Sequence, residues 1–224
     1  MELIETGDGS LTLRHEQLGE LYHSDRGAVG EAEHVYIRAG FDAVIQQKEE
    51  IAVFEVGFGS GLNCYLTYRQ ALANRKRVDY SAIDLYPIGV GTARQLHYTD
   101  DPVFLTLHEL PWDGERHAVD GDRFSLTKYR ADLSTFDFSA LAERFDVVYF
   151  DAFAPDVQPG LWSEAIMHRL FYSLKPEGVW VSYSAKGAVK QALRAAGFEV
   201  FRLPGALGKR HMLRAVKSIK QSFR

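Results

Sequence analysis

Apolar residues along this chain form short continuous runs, separated by segments in which apolar and polar positions alternate with a helical period. The runs predict buried strands at 51–56, 78–83, 145–150, 179–183, 198–202 and 212–216. The segments between them predict helices at 62–73, 89–97, 163–174 and 188–196. Continuously apolar strands that alternate with helices indicate an α/β fold with a parallel sheet covered on both faces.

Two predicted hairpins interrupt this alternation. Gly7-Asp8-Gly9-Ser10 provides turn residues within the stretch from Leu3 to Arg14, and Asp120-Gly121-Asp122 does so between His117 and Tyr129. We expect the first to form a small N-terminal hairpin. The second is expected to add a ribbon before the core fold resumes at Phe145.

The chain is expected to form one domain over residues 1–217. An amphipathic stretch at 31–47 predicts a helix that covers the sheet, so we assign 1–48 to an N-terminal hairpin and helix extension. Residues 49–217 then form the core, and 218–224 form a basic tail. With 46% apolar residues among 224, the chain can bury a full core.

Several protein classes are disfavoured by composition. The longest apolar run is too short to cross a bilayer, and the first residues lack the basic and apolar regions of an export signal. Cys64 is the only cysteine, and the eight histidines show no metal-ligand spacing. We expect a cytoplasmic enzyme with no structural metal, no membrane association and no obligate protein partner.

Charge is distributed unevenly along the chain. No acidic residue follows Glu199, whereas seven basic residues lie from Phe201 onward, which leaves 19 basic against 30 acidic residues, about −11, in the rest. A basic segment on an acidic body can bind a polyanion locally, and Lys209-Arg210-His211 is a candidate for contact with nucleic-acid phosphates. A solvated segment explains the same pattern.

A glycine-rich turn follows the first core strand. Gly57, Gly59 and Gly61 let the backbone turn sharply and approach a ligand closely. A dinucleotide fingerprint requires its third glycine at position 62, which is Leu62, so pyrophosphate is not the natural ligand. Glu55 would repel a pyrophosphate but suits a cation, such as the amino group and sulfonium of S-adenosylmethionine. An ordinary strand-to-helix turn is the alternative.

Three aspartates are candidate ligand-binding residues: Asp84 and Asp151 follow predicted strands, and Asp132 follows the second predicted hairpin. Asp84 could accept both ribose hydroxyls of such a cofactor, or cap a helix; Asp132 could bind adenine, or cap a helix from Ser134. Asp151 ends the apolar strand 145–150 and precedes Ala152-Phe153-Ala154-Pro155. We expect it to bind a protonated amine and help remove its proton, unless loop amides satisfy it structurally.

Several strings together resemble a known family. They are Tyr22-His23-Ser24, Glu31-Ala32, Glu55-Val56-Gly57-Phe58-Gly59-Ser60-Gly61-Leu62-Asn63, Asp151-Ala152-Phe153-Ala154-Pro155 with Trp162, and Gly208-Lys209-Arg210. The chain resembles the methyltransferase domain of MnmC, the tRNA 5-methylaminomethyl-2-thiouridine biosynthesis protein, and its single-domain form MnmD. The resemblance covers nearly all of residues 1 to 217.

This resemblance implies a fold and an activity. The fold is the Rossmann-like class I S-adenosylmethionine-dependent methyltransferase, with a mostly parallel seven-stranded sheet and an antiparallel last strand. The implied enzyme methylates the aminomethyl nitrogen of a wobble 5-aminomethyl(-2-thio)uridine in the tRNA anticodon stem-loop, with Asp151 at that amine. The implied cofactor residues are Ser24, Glu31, Glu55, Gly57, Phe58, Gly59, Gly61, Asn63, Asp84 and Asp132, and the implied substrate contacts are Tyr22, Phe153, Trp162, Lys209 and Arg210.

Two departures from the family pattern bear on the expectation. Bifunctional members continue into a flavin-dependent oxidase domain for which this sequence has no counterpart, so we expect methyl transfer alone and no flavin. Residues 157–162 read Val-Gln-Pro-Gly-Leu-Trp where the family pattern is closer to Asn or Gln, Pro, Glu, Met, Trp. Substrate contacts beyond Pro155 are therefore less well defined by the resemblance.

Three other functions stay open on the residues alone. A small-molecule amine methyltransferase shares the fold, because a fold carries no substrate information. A nicotinamide-dependent oxidoreductase shares the sheet, and a non-catalytic RNA-binding module would use the basic segment.

Overall fold

A computed structural model describes residues 2–7, 9–15, 19–22 and 26–218. Over these residues the strands are β1 (Glu2–Glu5), β2 (Leu11–Arg14), β3 (Glu50–Val56), β4 (Arg77–Asp84), β5 (Arg116–Asp120), β6 (Phe124–Arg130), β7 (Phe145–Phe150), β8 (Leu174–Ser182), β9 (Glu199–Pro204) and β10 (His211–Val216). The helices are α1 (Ala28–Ala32), α2 (Asp42–Ile45), α3 (Leu62–Ala73), α4 (Val90–Arg94), α5 (Pro102–Glu109), α6 (Glu164–Ser173) and α7 (Gly187–Ala195). A π-helical segment, Glu33–Phe41, joins α1 to α2.

One sheet with the strand order β5-β6-β4-β3-β7-β8-β10-β9 forms the centre of the fold. β6, β4, β3, β7 and β8 are parallel, and β10 runs antiparallel between β8 and β9. β1 and β2 form a separate hairpin. The predicted α/β class, the antiparallel last strand and the N-terminal hairpin are confirmed, and β5 adds an eighth strand at the edge.

The second predicted hairpin has a different place in the fold from the ribbon we expected. Its turn is present, with Gly121 at φ 53°, and β5 pairs antiparallel with β6. However, β6 is itself a core strand, parallel to β4 with Val78 opposite Phe124. The burial of Phe124 and Leu126 explains this position, because β6 carries part of the main core.

Two helices, α4 and α5, lie between β4 and β5, and the sequence pattern predicts only the first. α5 begins where the Asp101 carboxylate accepts a hydrogen bond from the Val103 amide at 3.0 Å, with Pro102 in the first turn. This Asp-Pro pair is a recognised start signal for a helix. The preceding helix, α4, ends at Arg94, three residues before the predicted end.

Both faces of the sheet are covered, as a parallel sheet requires. Val53, Tyr80 and Tyr149 face a core that includes residues of the π-helical segment and α3. Phe54 and Trp180 face a second core that includes α6 and α7. Helices cover the two faces, so a ligand can bind beyond the carboxyl ends of the parallel strands.

Asp146 lies near the amino-terminal end of β7, at the end of the parallel strands away from the cavity-forming loops. Its fully buried carboxylate accepts hydrogen bonds from Lys48 Nζ at 2.5 Å, Lys175 Nζ at 2.9 Å and the Ala52 amide at 2.8 Å. We expect Asp146→Ala to lower the free energy of unfolding by about 3 kcal/mol in urea denaturation, because it leaves a buried amide and two ammonium groups unpaired. Asp156→Ala, which breaks an exposed pair with Lys186, is the control and should change little.

Candidate active site

The glycine-rich turn between β3 and α3 is held in a conformation that side chains would disturb. Gly57, Gly59 and Gly61 have φ values of 85°, 51° and 73°. A Cβ on Gly57 would lie 2.5 Å from the Asp151 carbonyl oxygen, and one on Gly61 would lie 2.6 Å from His108 Nε2. The glycines therefore allow the β3 and β7 loops to meet at one edge of the sheet.

A cavity of about 700 Å³ lies at this edge. That volume is within the range of small-molecule and cofactor sites. Of the predicted site residues, those that line it are Tyr22, Glu31, Gly57, Phe58, Gly59, Asn63, Asp84, Asp132, Asp151, Phe153 and Lys209. The structure thus brings together groups from the N-terminal extension, four strand ends and the loop before β10.

Asp151 lies at the end of β7 with both carboxylate oxygens held by neutral donors. Oδ1 accepts a hydrogen bond from the Tyr36 hydroxyl at 2.6 Å, and Oδ2 accepts one from Asn63 Nδ2 at 2.7 Å. Burial raises the pKa of Asp151 to about 7, although both hydrogen bonds oppose the rise. A carboxyl group with this pKa can exchange a proton near neutral pH.

Glu55 lies beneath the cavity. It is fully buried, and its Oε1 accepts a hydrogen bond from Asn63 Nδ2 at 3.0 Å. Burial raises the pKa of Glu55 well above its usual value. Asn63 therefore connects Glu55 to Asp151, and Glu55 supports the site through Asn63 instead of lining it.

Asp84 supports the glycine turn from the end of β4. Its Oδ2 accepts a hydrogen bond from the Gly59 amide at 3.0 Å, and Oδ1 accepts one from the Tyr86 amide at 2.8 Å. Burial raises the pKa of Asp84, and these amides partly offset the effect. Asp132 accepts from the Ser134 amide at 2.8 Å in a turn, so the helix start considered for Ser134 is absent.

Two residues that line the cavity, Glu31 and Lys209, form an ion pair. Lys209 Nζ donates to Glu31 Oε1 and lies 5.0 Å from the centre of the Tyr183 ring. Both Glu31 and Lys209 act electrostatically on Asp151. This contact links the N-terminal extension to the loop before β10, on the side of the cavity that holds Asp151.

Aromatic rings form a further wall. The Tyr22 and Phe153 rings lie 5.3 Å apart in an edge-to-face arrangement, and His15 lies 5.5 Å from Phe153. Tyr86 also lines the cavity and is exposed. Such a wall can hold a planar base by stacking.

Two predicted substrate contacts do not line the cavity. Trp162 is buried, packs against Phe150 at 4.7 Å and donates from Nε1 to the Phe153 carbonyl oxygen at 2.8 Å. Trp162, which the resemblance implies as a substrate contact, is not placed to contact a ligand in this cavity; it supports the loop that carries Phe153. Arg210 is exposed outside the cavity lining.

Two of the described residues that we expected to bind the cofactor, Glu55 and Gly61, do not line the cavity. Gly61 instead allows the glycine turn to pack closely against His108 and Phe58. Ser24 lies outside the described residues.

Several residues around the site were missed at the sequence level. They are His15, Glu20, Tyr86 and Tyr183, which line the cavity, and Tyr36, His108 and Lys128, which lie behind it. His108 Nε2 lies 3.1 Å from the Ser60 carbonyl oxygen, and burial lowers the pKa of His108 to about 4, so the ring is neutral and can donate there. No local motif in the sequence marks these seven residues as part of a site. Long-range folding brings them there.

The cavity as a whole favours a cationic ligand. Five carboxyl groups line it, those of Glu20, Glu31, Asp84, Asp132 and Asp151, against the basic Arg14, His15 and Lys209. Opposite charges at short range stabilise one another strongly where water is excluded. The sequence analysis predicts a cationic ligand from Glu55, and the other carboxyl groups that line the cavity support that prediction. Among the described residues, no group of three or more His, Cys, Asp or Glu side chains is placed to hold a metal ion.

Comparison with known proteins identifies the class. Residues 103–218, just over half of the chain, match the family described as S-adenosyl-L-methionine-dependent methyltransferase. The chain belongs to this family, and S-adenosylmethionine is its cofactor. The glycine turn, Asp84 and the acidic cavity fit this ligand, which carries a sulfonium, an amino group and ribose hydroxyls.

Particular relatives narrow the comparison. The MnmC bifunctional proteins of Azoarcus sp. (strain BH72) and Burkholderia thailandensis, named for tRNA 5-methylaminomethyl-2-thiouridine biosynthesis, are 33% and 30% identical over 88% and 87% of this chain. The chain spans about a third of their length, 32% in each case. The crystal structure of MnmC2 from Aquifex aeolicus aligns with a TM-score of 0.76 at 27% identity, covering 98% of this chain and 70% of that one.

A more distant structure shows the same fold. A spermidine synthase in complex with a transition state analogue aligns with a TM-score of 0.57 at 15% identity, covering 94% of this chain and 71% of that one.

In the part of the chain that the structure describes, no helix is long and apolar enough to cross a membrane.

Proposed function

We propose that this enzyme methylates the aminomethyl nitrogen of a wobble 5-aminomethyl(-2-thio)uridine in the tRNA anticodon stem-loop, in the cytoplasm. The product would be 5-methylaminomethyl(-2-thio)uridine. The observation that carries the proposal is Asp151, whose carboxyl group is held next to the glycine turn with a pKa of about 7. The printed names of the MnmC relatives and of MnmC2 support the choice of tRNA.

S-adenosylmethionine, when bound, supplies an activated methyl group on a sulfonium. Gly57, Gly59 and the Asp84 carboxylate would hold it, since they form the edge of the cavity at the end of β3 and β4. Asp132 would contact its adenine. Glu55 would act through Asn63, which keeps the α3 end of the cavity in place.

Asp151 would bind and deprotonate the acceptor amine. An amine attacks only through its lone pair, and an aminomethyl group is mostly protonated at neutral pH. The ionised Asp151 carboxylate would first pair with the ammonium and then accept its proton. Fixing the amine in line with the methyl group supplies most of the remaining acceleration.

The uridine base would enter the cavity outside the anticodon stack. Single-stranded RNA is recognised by stacking on aromatic side chains and by contacts to base edges. Tyr22 and Phe153 offer that wall, and Lys209 also lines the cavity. Arg210, which is exposed next to Lys209, is the candidate for a phosphate contact.

The proposal is tested with tRNA from cells in which the corresponding gene is deleted. The purified protein and S-adenosylmethionine should convert 5-aminomethyluridine to its methylated form in nucleoside mass spectrometry. Putrescine and spermidine, offered at equal concentration, test the small-molecule alternative. Methylation of a polyamine with no change in the tRNA nucleosides would contradict the proposal, as would tRNA binding without methyl transfer.

A further inference from the structure

We infer that Tyr36 is a positioning residue for the reaction: from the π-helical segment, its hydroxyl fixes the Asp151 carboxylate and favours its ionised form. The inference rests on the proposed function for the role of Asp151. Its first support is the direct contact, a hydrogen bond of 2.6 Å between side chains 115 positions apart. With Asn63 on the other oxygen, the carboxylate has one fixed orientation.

The π-helical segment explains why Tyr36 reaches this position. Hydrogen bonds in a π-helix join residues five apart, as that of the Asp42 amide to the Ile37 carbonyl does. Residues five apart therefore lie on nearly the same side of the segment. Tyr36 lies within this segment, Glu31 lies in α1 just before it, and both act on Asp151. Rare π-helical turns are frequent at functional sites.

Close packing holds the segment against the sheet. A Cβ on Gly40 would lie 2.9 Å from Val181 Cγ2 and 3.1 Å from the Tyr149 ring. The rings of Tyr36 and Tyr149 lie 5.4 Å apart, and Tyr36 itself is buried. The hydroxyl of Tyr36 is thus delivered by a rigid part of the molecule and has little freedom to leave Asp151.

Tyr36 acts as a donor and has no direct contact with the cavity. Burial raises its pKa well above the usual value, and the Asp151 charge adds to this, so the phenol keeps its proton. The other charged or titratable groups acting on Asp151 are Glu31, Lys209, Glu55 and Tyr183. Tyr36 does not line the cavity, and therefore it cannot replace Asp151 as the base.

The test is Tyr36→Phe, which removes one oxygen and keeps the ring. The Asp151 carboxyl, followed by ¹³C NMR as the signal missing in Asp151→Asn, should titrate about one pH unit higher than in the wild type. In the tRNA assay, kcat/KM should fall about tenfold at pH 6.5 and recover to within about twofold of wild type at pH 9. The KM for S-adenosylmethionine should not change.

Tyr68→Phe is the matched control, since Tyr68 is a buried tyrosine on α3 that packs against Phe124 away from the cavity. Site-specific 3-fluorotyrosine at position 36 keeps the ring and makes its hydroxyl a stronger hydrogen-bond donor. It should lower the pH at which the Asp151 carboxyl titrates. An unchanged titration in both variants, or an equal loss of activity at every pH, would overturn the inference. The NMR titration needs no tRNA, so this failure is distinct from that of the proposed function.

Discussion

Asp151→Ala is expected to lower turnover on tRNA by about 10²–10⁴-fold, the range for loss of a general base. Under the proposed mechanism, the variant loses both the partner of the acceptor ammonium and the acceptor of its proton. Affinity for S-adenosylmethionine should change little, because the glycine turn and Asp84 remain in place. Single-turnover methyl transfer and calorimetry on the same preparation separate these two quantities.

Asp156→Ala is the matched control for that experiment. Asp156 lies five residues further along the same loop, with its carboxylate exposed and paired to Lys186. Wild-type activity should also decline below pH 7 as Asp151 becomes protonated, with an acid limb in kcat/KM near its pKa of about 7. An Asp151→Ala enzyme with turnover close to wild type would remove Asp151 from the mechanism.

The elements of this site that lie at strand ends could be predicted from the sequence. The order of glycines after β3 and the aspartates after β4 and β7 are local signals, and the rules of parallel sheets bring them to one edge. The cavity indeed includes Gly57, Asp84 and Asp151. Their convergence needed no knowledge of side-chain contacts.

Burial of single side chains could not be predicted in the same way. Glu55 and Trp162 occur in motifs whose neighbours line the cavity, yet both lie behind it. In β3, successive side chains point to opposite faces of the sheet, so a residue next to a ligand-binding turn need not face the ligand. Trp162 supports the Phe153 backbone because the short helical turn Pro159–Trp162 directs its ring inward.

Tyr36 shows a different limit of sequence reasoning. Its apolar neighbours predict a helical stripe, and a buried tyrosine within such a stripe is ordinary core. Only the π-helical hydrogen bonds and the contact with Asp151 give it a role, and neither has a local signal in the sequence. Residues that act on a catalytic group from behind are therefore the part of the site that the structure adds.

Asp151→Asn is expected to stabilise the protein without ligand, and more so as the pH rises. The folded-state pKa of about 7 lies above the unfolded value of about 3.9, so the folded protein binds the extra proton between these values. Wild-type stability from this group is present at low pH and is lost as the pH rises toward 7. Asparagine does not titrate, and the advantage of the variant should grow by about 2–3 kcal/mol between pH 5 and pH 8.

Urea denaturation of both proteins at pH 5, 6.5 and 8 measures this difference. Glu55 and Asp84, whose pKa values are also raised, are present in both proteins and largely cancel in the comparison. Asp156→Asn, at an exposed position on the same loop, should show a difference from wild type that is constant with pH. If the difference for Asp151→Asn were also constant with pH, the pKa of Asp151 would be the same in the folded and unfolded protein. Burial would then not destabilise the ionised carboxylate, and pairing with the acceptor ammonium would relieve no such destabilisation.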